Sequence, residues 1–174
     1  MELGAQKKYK EIQDIFGLCE EPKNDDDINL IQLWSRNGFT QMSMVDYPYP
    51  ANFLGSLPAY PVNVSCDMML DVISNGGSSI SALGVGSGLF YNASDNYELS
   101  CFDINTEFIE CADQTGCGLG NNAIAWDYQM CTQICYSMNT NNITDMFIPS
   151  IWDYNNYTQY CSNKYGVIPE MTWM

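Results

Sequence analysis

The chain contains no histidine. Ser-His-Asp and Cys-His catalysis by these residues alone is thereby excluded, as is any metal site that uses an imidazole. Basic residues are nearly as scarce: six Lys and Arg stand against 21 Asp and Glu, a formal charge of −15. Between Arg36 and Lys164 there is no cation, while twelve acids occupy that stretch. Such a surface repels phosphate backbones, which excludes nucleic acid as a partner. It attracts cationic ligands, amines among them. No apolar run approaches the roughly 18–20 residues that a membrane-spanning helix needs. Only 16% of residues are charged, but 46% are hydrophobic, enough for a core, so wholesale disorder is excluded.

What is present points to an oxidising compartment. There are eight cysteines. Asn63-Val-Ser65, Asn92-Ala-Ser94, Asn142-Ile-Thr144 and Asn156-Tyr-Thr158 are N-glycosylation sequons with no proline in the middle. Together they favour a secretory-route protein, lysosomal, vesicular or extracellular. The opening residues, Met1 to Phe16, are polar and charged and carry no apolar core of a leader peptide. Disulfides and sequons without a leader lead to the expectation that this is an internal piece of a longer chain.

Apolar periodicity and end signals predict a mainly α protein. Asp25-Asp26-Asp27 places acids where a helix N-terminus favours them, ahead of Ile28, Ile31 and Trp34 at helical spacing. That helix is expected to reach about Val45, weakened at Gly38. Pro48, Pro50, Pro58 and Pro61 then forbid a helix or a central strand. Tyr47, Tyr49, Phe53 and Tyr60 in that segment argue that it packs. Shorter helices are expected over 66–74, 81–91, 105–112, 126–138 and 154–165, the last ending near Gly166. Strand patterns are scarce, and the connections are long and rich in Pro and Gly.

Several short patterns have plain readings. Asp25-x-Asp27-x-Asn29 opens like a calcium loop, but Leu30 and Arg36 stand where Gly and Glu are required, so it reads as a helix cap. Gly84-Val-Gly86-Ser87-Gly88 lacks the spacing of a phosphate loop or nucleophile turn and reads as a packing or hinge feature. Cys131 and Cys135 share a helix face, yet with no histidine the reading is disulfide use and no metal.

Two long blocks carry more. One is Met44-Val45-Asp46-Tyr47-Pro48-Tyr49-Pro50 with Asn52-Phe53-Leu54-Gly55 and Leu57-Pro58-Ala59-Tyr60-Pro61-Val62. The other is Ala125-Trp126-Asp127-Tyr128-Gln129, Cys131-Thr132, Asn142-Ile143-Thr144-Asp145-Met146-Phe147 and Tyr165-Gly166-Val167. Both resemble the lysosomal serine exopeptidase family of prolylcarboxypeptidase and dipeptidyl peptidase II, from about Phe16 to Trp173. The Cys111-Ala112-Asp113 to Cys117-Gly118 loop and Leu89-Phe90-Tyr91-Asn92-Ala93-Ser94 are most similar to the dipeptidyl peptidase II branch. Gln133 departs from the family, which usually has Glu after Cys-Thr.

The resemblance implies a disulfide-stapled helical cap, inserted in an α/β-hydrolase-type serine peptidase: residues 1–24 lead in and residues 25–174 form the cap. The nucleophile, acid and base would lie outside this chain, which holds no catalytic residue and is expected to be inactive alone. The activity implied is release of N-terminal Xaa-Pro or Xaa-Ala dipeptides, with no cofactor. Implied partners are a peptide with a free N-terminus and the remainder of the hydrolase domain; the full-length enzyme admits a homodimer. It further implies bridges Cys19–Cys101, Cys131–Cys161 and Cys111–Cys117. Cys66 and Cys135 keep two readings: a partner beyond this chain for Cys66 with Cys135 a buried thiol, or a bridge between the two. Asp113 is the candidate to bind the substrate ammonium, against the reading that it merely closes its own turn. Trp126, Tyr136 and Met146 or Phe147 are candidates for an apolar pocket, against plain core. Asp127 and Gln129 are expected to orient neighbours. A different class stays open, a truncated non-catalytic secreted binding domain. The isolated cap is expected to aggregate through the surface it normally lays on the hydrolase domain.

Overall fold

Helix α1, Tyr9–Phe16, turns Ile12 and Phe16 inward, one helical turn apart, and stops where Gly17 takes a left-handed φ of 64°. The computed structural model describes residues 4, 6–107, 121–135, 139–144 and 149–171. Within them the chain divides into two compact units, Met1–Phe108 and Ile109–Met174.

In the first unit, helix α2 covers Asp25–Met44. The Asn24 carboxamide oxygen accepts from the backbone N–H groups of Asp26 and Asp27 at 2.8 and 3.1 Å, and three acids fill the first turn. The calcium-like pattern is therefore a cap, as read from the sequence. Helix α3, Pro61–Ser74, begins five residues ahead of the expected start. Proline is suited to the first helical position, where its missing N–H has no partner to lose. Helix α4, Ser79–Ser94, also exceeds the 81–91 expected, because the Ser78 hydroxyl accepts from the Ser81 N–H. A short helix α5, Ile104–Glu107, opens the predicted 105–112 segment.

The glycines of α4 are contact points. A Cβ on Gly84 would lie 2.7 Å from the Ile15 carbonyl oxygen, and one on Gly86 2.7 Å from Met69 Sδ. Gly88 abuts the Phe102 ring. Gly38 of α2 does the same work from the other side, its backbone close to the Ser87 carbonyl and the Tyr91 ring. These glycines let α1 and α2 approach α4 at backbone distance and seat α3 side chains and the Phe102 ring against it, which favours packing over a hinge. The core under them joins Ile12, Phe16, Leu18, Ile28, Ile31, Trp34, Tyr91 and Ile104. A second cluster holds Met42, Val45, Leu57, Leu89 and Ala93.

The proline-rich connection is ordered and packs, as expected, but through Leu57 and Val45 and not through the aromatics that argued for it. Tyr47, Tyr49 and Tyr60 are exposed and Phe53 is 82% exposed. Leu57 and Val45 take the inward positions, with an Ala51–Leu57 bridge and a Tyr60 N–H to Tyr47 carbonyl bond holding the turn. Tyr47 and Tyr49, two residues apart on one side of an extended chain, stack on each other outside, 5.5 Å between centroids.

In the second unit, helix α6 spans Asn121–Thr132 and helix α7 spans Tyr154–Tyr165. The expected 126–138 helix is thus shifted. Its end is closed by the Gln133 and Ile134 N–H groups both donating to the Gln129 carbonyl, which unwinds the chain before Cys135. The α7 bounds match the prediction, with Asp153 capping the Asn156 N–H and Gly166 left-handed at φ 69°. Among the described residues there is no sheet, only three isolated bridges, at Leu18–Phe102, Ala51–Leu57 and Thr140–Ser150. The mainly α reading holds for them.

Two of the expected disulfides are present, Cys19–Cys101 and Cys131–Cys161. The first fastens the Leu18–Phe102 bridge below α1, and closing its 82-residue loop is worth about 4.5 kcal/mol in the chain-entropy account. Cys66 is an exposed free thiol and Cys135 a buried one, so they do not pair with each other. The Cys111–Cys117 bridge lies outside the described residues.

Candidate functional site

Of the four residues singled out for substrate binding, Asp113, Tyr136 and Met146 lie outside the described residues, as does Phe147. Trp126 is described and is 52% exposed on α6, too open for the plain-core reading. Its neighbour Asp127 is buried, 5% exposed. An exposed aromatic ring and a buried charge thus follow one another along α6.

That charge is fully matched. The Tyr160 and Tyr165 hydroxyls donate to Asp127 Oδ2 at 2.5 and 2.7 Å, and Lys164 Nζ stands 3.1 Å from the same oxygen. Lys164 also donates to the Tyr160 hydroxyl and lies over both tyrosine rings. Burial is the main cause that raises both phenols, with the Asp127 carboxylate adding to it, and Tyr165 is pushed up to about 12. All three partners come from one turn and a half of α7, so Asp127 pins α6 to α7 beside the Cys131–Cys161 bridge. It orients neighbours, as expected for it; Gln129 contributes its backbone carbonyl instead. The tyrosine–lysine partners were not foreseen. The signal available was Lys164 itself, a lone cation in a long acidic stretch, which a buried carboxylate would be expected to claim.

The first unit holds a second buried polar link that the sequence reading missed. The Trp34 indole N–H donates to Glu107 Oε2 at 2.8 Å, and the Asp103 backbone N–H to Oε1 at 2.9 Å. The indole stacks on Tyr91, 4.2 Å between centroids, and the Tyr91 hydroxyl returns to the Trp34 carbonyl. Burial raises the Glu107 carboxyl above its ordinary range; Asp103 and Asp95 add to this, while the two hydrogen bonds oppose it. A carboxyl raised in the folded state contributes stability that is complete below its unfolded pKa and is lost as pH rises through its folded one. Glu107→Gln is therefore expected to flatten the fall in stability between acidic and neutral pH. Urea midpoints of both proteins across that window check it; parallel curves would contradict it.

Among the described residues no three His, Cys, Asp or Glu side chains cluster to hold a metal. The Cys135 thiol, raised by burial, points to Met171 Sδ. No described helix is long and apolar enough to cross a membrane. Asn63, Asn142 and Asn156 are exposed and Asn92 is half-buried.

The chain has no histidine, is mainly helical among its described residues and is stapled by two bridges that link distant segments. Comparison with known proteins supplies the class: the sequence profile of the serine carboxypeptidase S28 family matches residues 2–173, and the chain belongs to that family. It is 29% identical over 171 residues to the lysosomal Pro-X carboxypeptidase of Mus musculus, covering 98% of this chain and 32% of the mouse protein. Identity to the lysosomal Pro-X carboxypeptidase of Homo sapiens is 30% over 157 residues, 90% of this chain and 29% of the human protein. Prolyl carboxy peptidase like protein 5 of Caenorhabditis elegans is 31% identical over 112 residues, 64% of this chain and 21% of the nematode protein. The chain spans about a third of the length of the mouse and human relatives it matches.

Proposed function

We propose that this chain is the helical cap of a serine exopeptidase working in the lysosome or along the secretory route. The observation that carries the reading is a conjunction. The chain matches a serine peptidase family over residues 2–173, yet has no histidine and, among its described residues, no sheet. A hydrolase needs a base and a strand-borne nucleophile. On this reading those groups belong to the rest of the polypeptide and the cap shapes the cleft above them. The lysosomal relatives, the two bridges and the sequons support the compartment. Exposed Met44, Tyr47, Tyr49, Phe53, Leu70 and Ile73 supply apolar surface of the kind a cap lays on its hydrolase domain.

The finer proposal is that the enzyme releases N-terminal Xaa-Pro or Xaa-Ala dipeptides, with Asp113 accepting hydrogen bonds from the substrate ammonium and Trp126, Tyr136 and Met146 forming apolar walls. A carboxylate at a set distance from the nucleophile measures two residues from a free amino terminus. In the full-length enzyme, Asp113→Asn is expected to lower kcat/KM for Xaa-Pro substrates roughly 10- to 100-fold, the value of one charge-assisted hydrogen bond. N-acetylated substrates, which carry no ammonium, are expected to be poor for both enzymes. Equal turnover of both substrate types by both enzymes would remove Asp113 from the site. Release of a C-terminal residue after proline, the specificity in the relatives' names, would replace the dipeptidyl reading with the carboxypeptidase one.

A further inference from the structure

Two asparagines in the chain are followed by glycine, Asn37 and Asn75. Glycine has no Cβ to shield its nitrogen and has the widest backbone freedom, so it closes most readily on the side chain before it. As sequence the two dipeptides are alike, but the fold treats them differently.

Asn37-Gly38 lies in the middle of α2. The Asn37 amide donates to the Tyr91 hydroxyl at 3.0 Å, and its oxygen accepts from the Gln41 amide at 3.3 Å. Gly38 is buried, with the Ser87 carbonyl 3.1 Å from where a Cβ would stand. This dipeptide moves only if α2 unwinds and parts from α4.

Asn75-Gly76 follows the last residue of α3, in the turn that runs through Gly77 and Ser78 into α4. All of residues 75–78 are exposed. The Asn75 amide donates to the Asp71 carbonyl at 2.8 Å, and the Gly76 N–H to the Ile73 carbonyl at 3.0 Å. Both bonds sit at a helix end open to water, where local opening costs little. Gly76 has a left-handed φ of 83°, and nothing lies within 4 Å of a Cβ built on it. Its backbone therefore has room to turn the nitrogen toward the Asn75 side chain.

We propose that Asn75 is a site of spontaneous deamidation in the folded protein and that α2 protects Asn37. The inference stands on this turn and does not depend on the proposed function. The Gly76 nitrogen forms a bond to Asn75 Cγ and gives up its proton. The Cγ–Nδ2 bond breaks, and ammonia leaves with that electron pair and one proton. Water then opens the five-membered imide at one of its two carbonyls. One opening gives aspartate; the other gives isoaspartate, whose main chain runs through the former side chain. Either product sets a new carboxylate at the negative end of α3, one turn from Asp71.

The test incubates the full-length protein, folded and in urea, in neutral buffer made with ¹⁸O-water. Digestion in ordinary water and peptide mapping follow, so that label marks only deamidation during the incubation. In the folded protein, labelled aspartate and isoaspartate are expected to accumulate at residue 75. Label at residue 37 is expected to be at least ~10-fold lower, because a helix interior opens far more rarely than a helix end. In urea the two positions are expected to label at similar rates. Each event adds one negative charge, read as a new peak on anion exchange. Asn75→Gln, which closes a larger and slower ring, is expected to remove that peak. Label at 75 in urea but none in the folded protein overturns the site; equal label at 37 and 75 in the folded protein overturns the protection.

Discussion

Trp34→Ala is expected to destabilise the first unit by about 3–5 kcal/mol, the usual loss for truncating a fully buried indole. Trp34 is 0% exposed and touches Phe16, Tyr91 and Phe102 with its rings. Truncation leaves a cavity between α1, α2 and α4 and takes the indole donor from Glu107. The Tyr91 hydroxyl keeps its acceptor, because that is the backbone carbonyl of residue 34. Trp34→Phe separates the two losses: it refills much of the volume but supplies no donor, and is expected to cost about 1–3 kcal/mol. Denaturant midpoints for both variants measure the difference. A loss below about 1 kcal/mol for Trp34→Ala would mean that the stack and the cluster beneath it are not where the stability of this unit resides.

Asp127→Ala should act on the second unit with comparable force, about 2–4 kcal/mol. Removing the carboxylate leaves Lys164, whose side chain is 24% exposed, and two phenols without their shared acceptor. The effect has a spectroscopic signature. Tyr165 is pushed up to about 12 by burial first and by Asp127 second, so the variant retains only part of that shift. A phenol raised in the folded state holds its stability below the ordinary tyrosine pKa near 10 and loses it as pH climbs through the folded value. In a phenolate absorbance titration the natural protein should show late-ionising tyrosines that move to lower pH in the variant. An unchanged titration would show that Asp127 does not govern these rings. Cys131–Cys161 still ties α6 to α7 in the variant, so the unit is expected to loosen while the helices stay joined.

The two links differ in how legible they were. Asp127 was expected to orient neighbours, but Tyr160 and Lys164 lie more than thirty positions away. Local pattern carries no information about such partners. Glu107 reads as an ordinary helical acid until Trp34, 73 residues earlier, is placed over it. Helix ends show the same division. The ends at Asn24 and Gly166 were readable because a cap acts within its own turn, and the start of α3 was misplaced only because Pro61 was read as a breaker. The end of α6 was misjudged because the apolar spacing runs on through Cys135, while the backbone closes on Gln129.

Composition and local chemistry by themselves determined that this chain is mainly helical and that it holds no histidine-based catalytic centre; the family-like blocks pointed to the serine exopeptidases and to the Cys19–Cys101 and Cys131–Cys161 bridges. The first two follow from residue type or near-neighbour spacing, which no tertiary contact can alter. Only the tertiary structure decided which aromatics are core. Trp34 and Tyr91 are buried because Gly38 lets α2 close on α4 and Gly88 admits the Phe102 ring beside them, whereas Tyr47, Tyr49 and Phe53 stand outside. Burial belongs to the partner across the interface as much as to the side chain, and that partner is set by the fold.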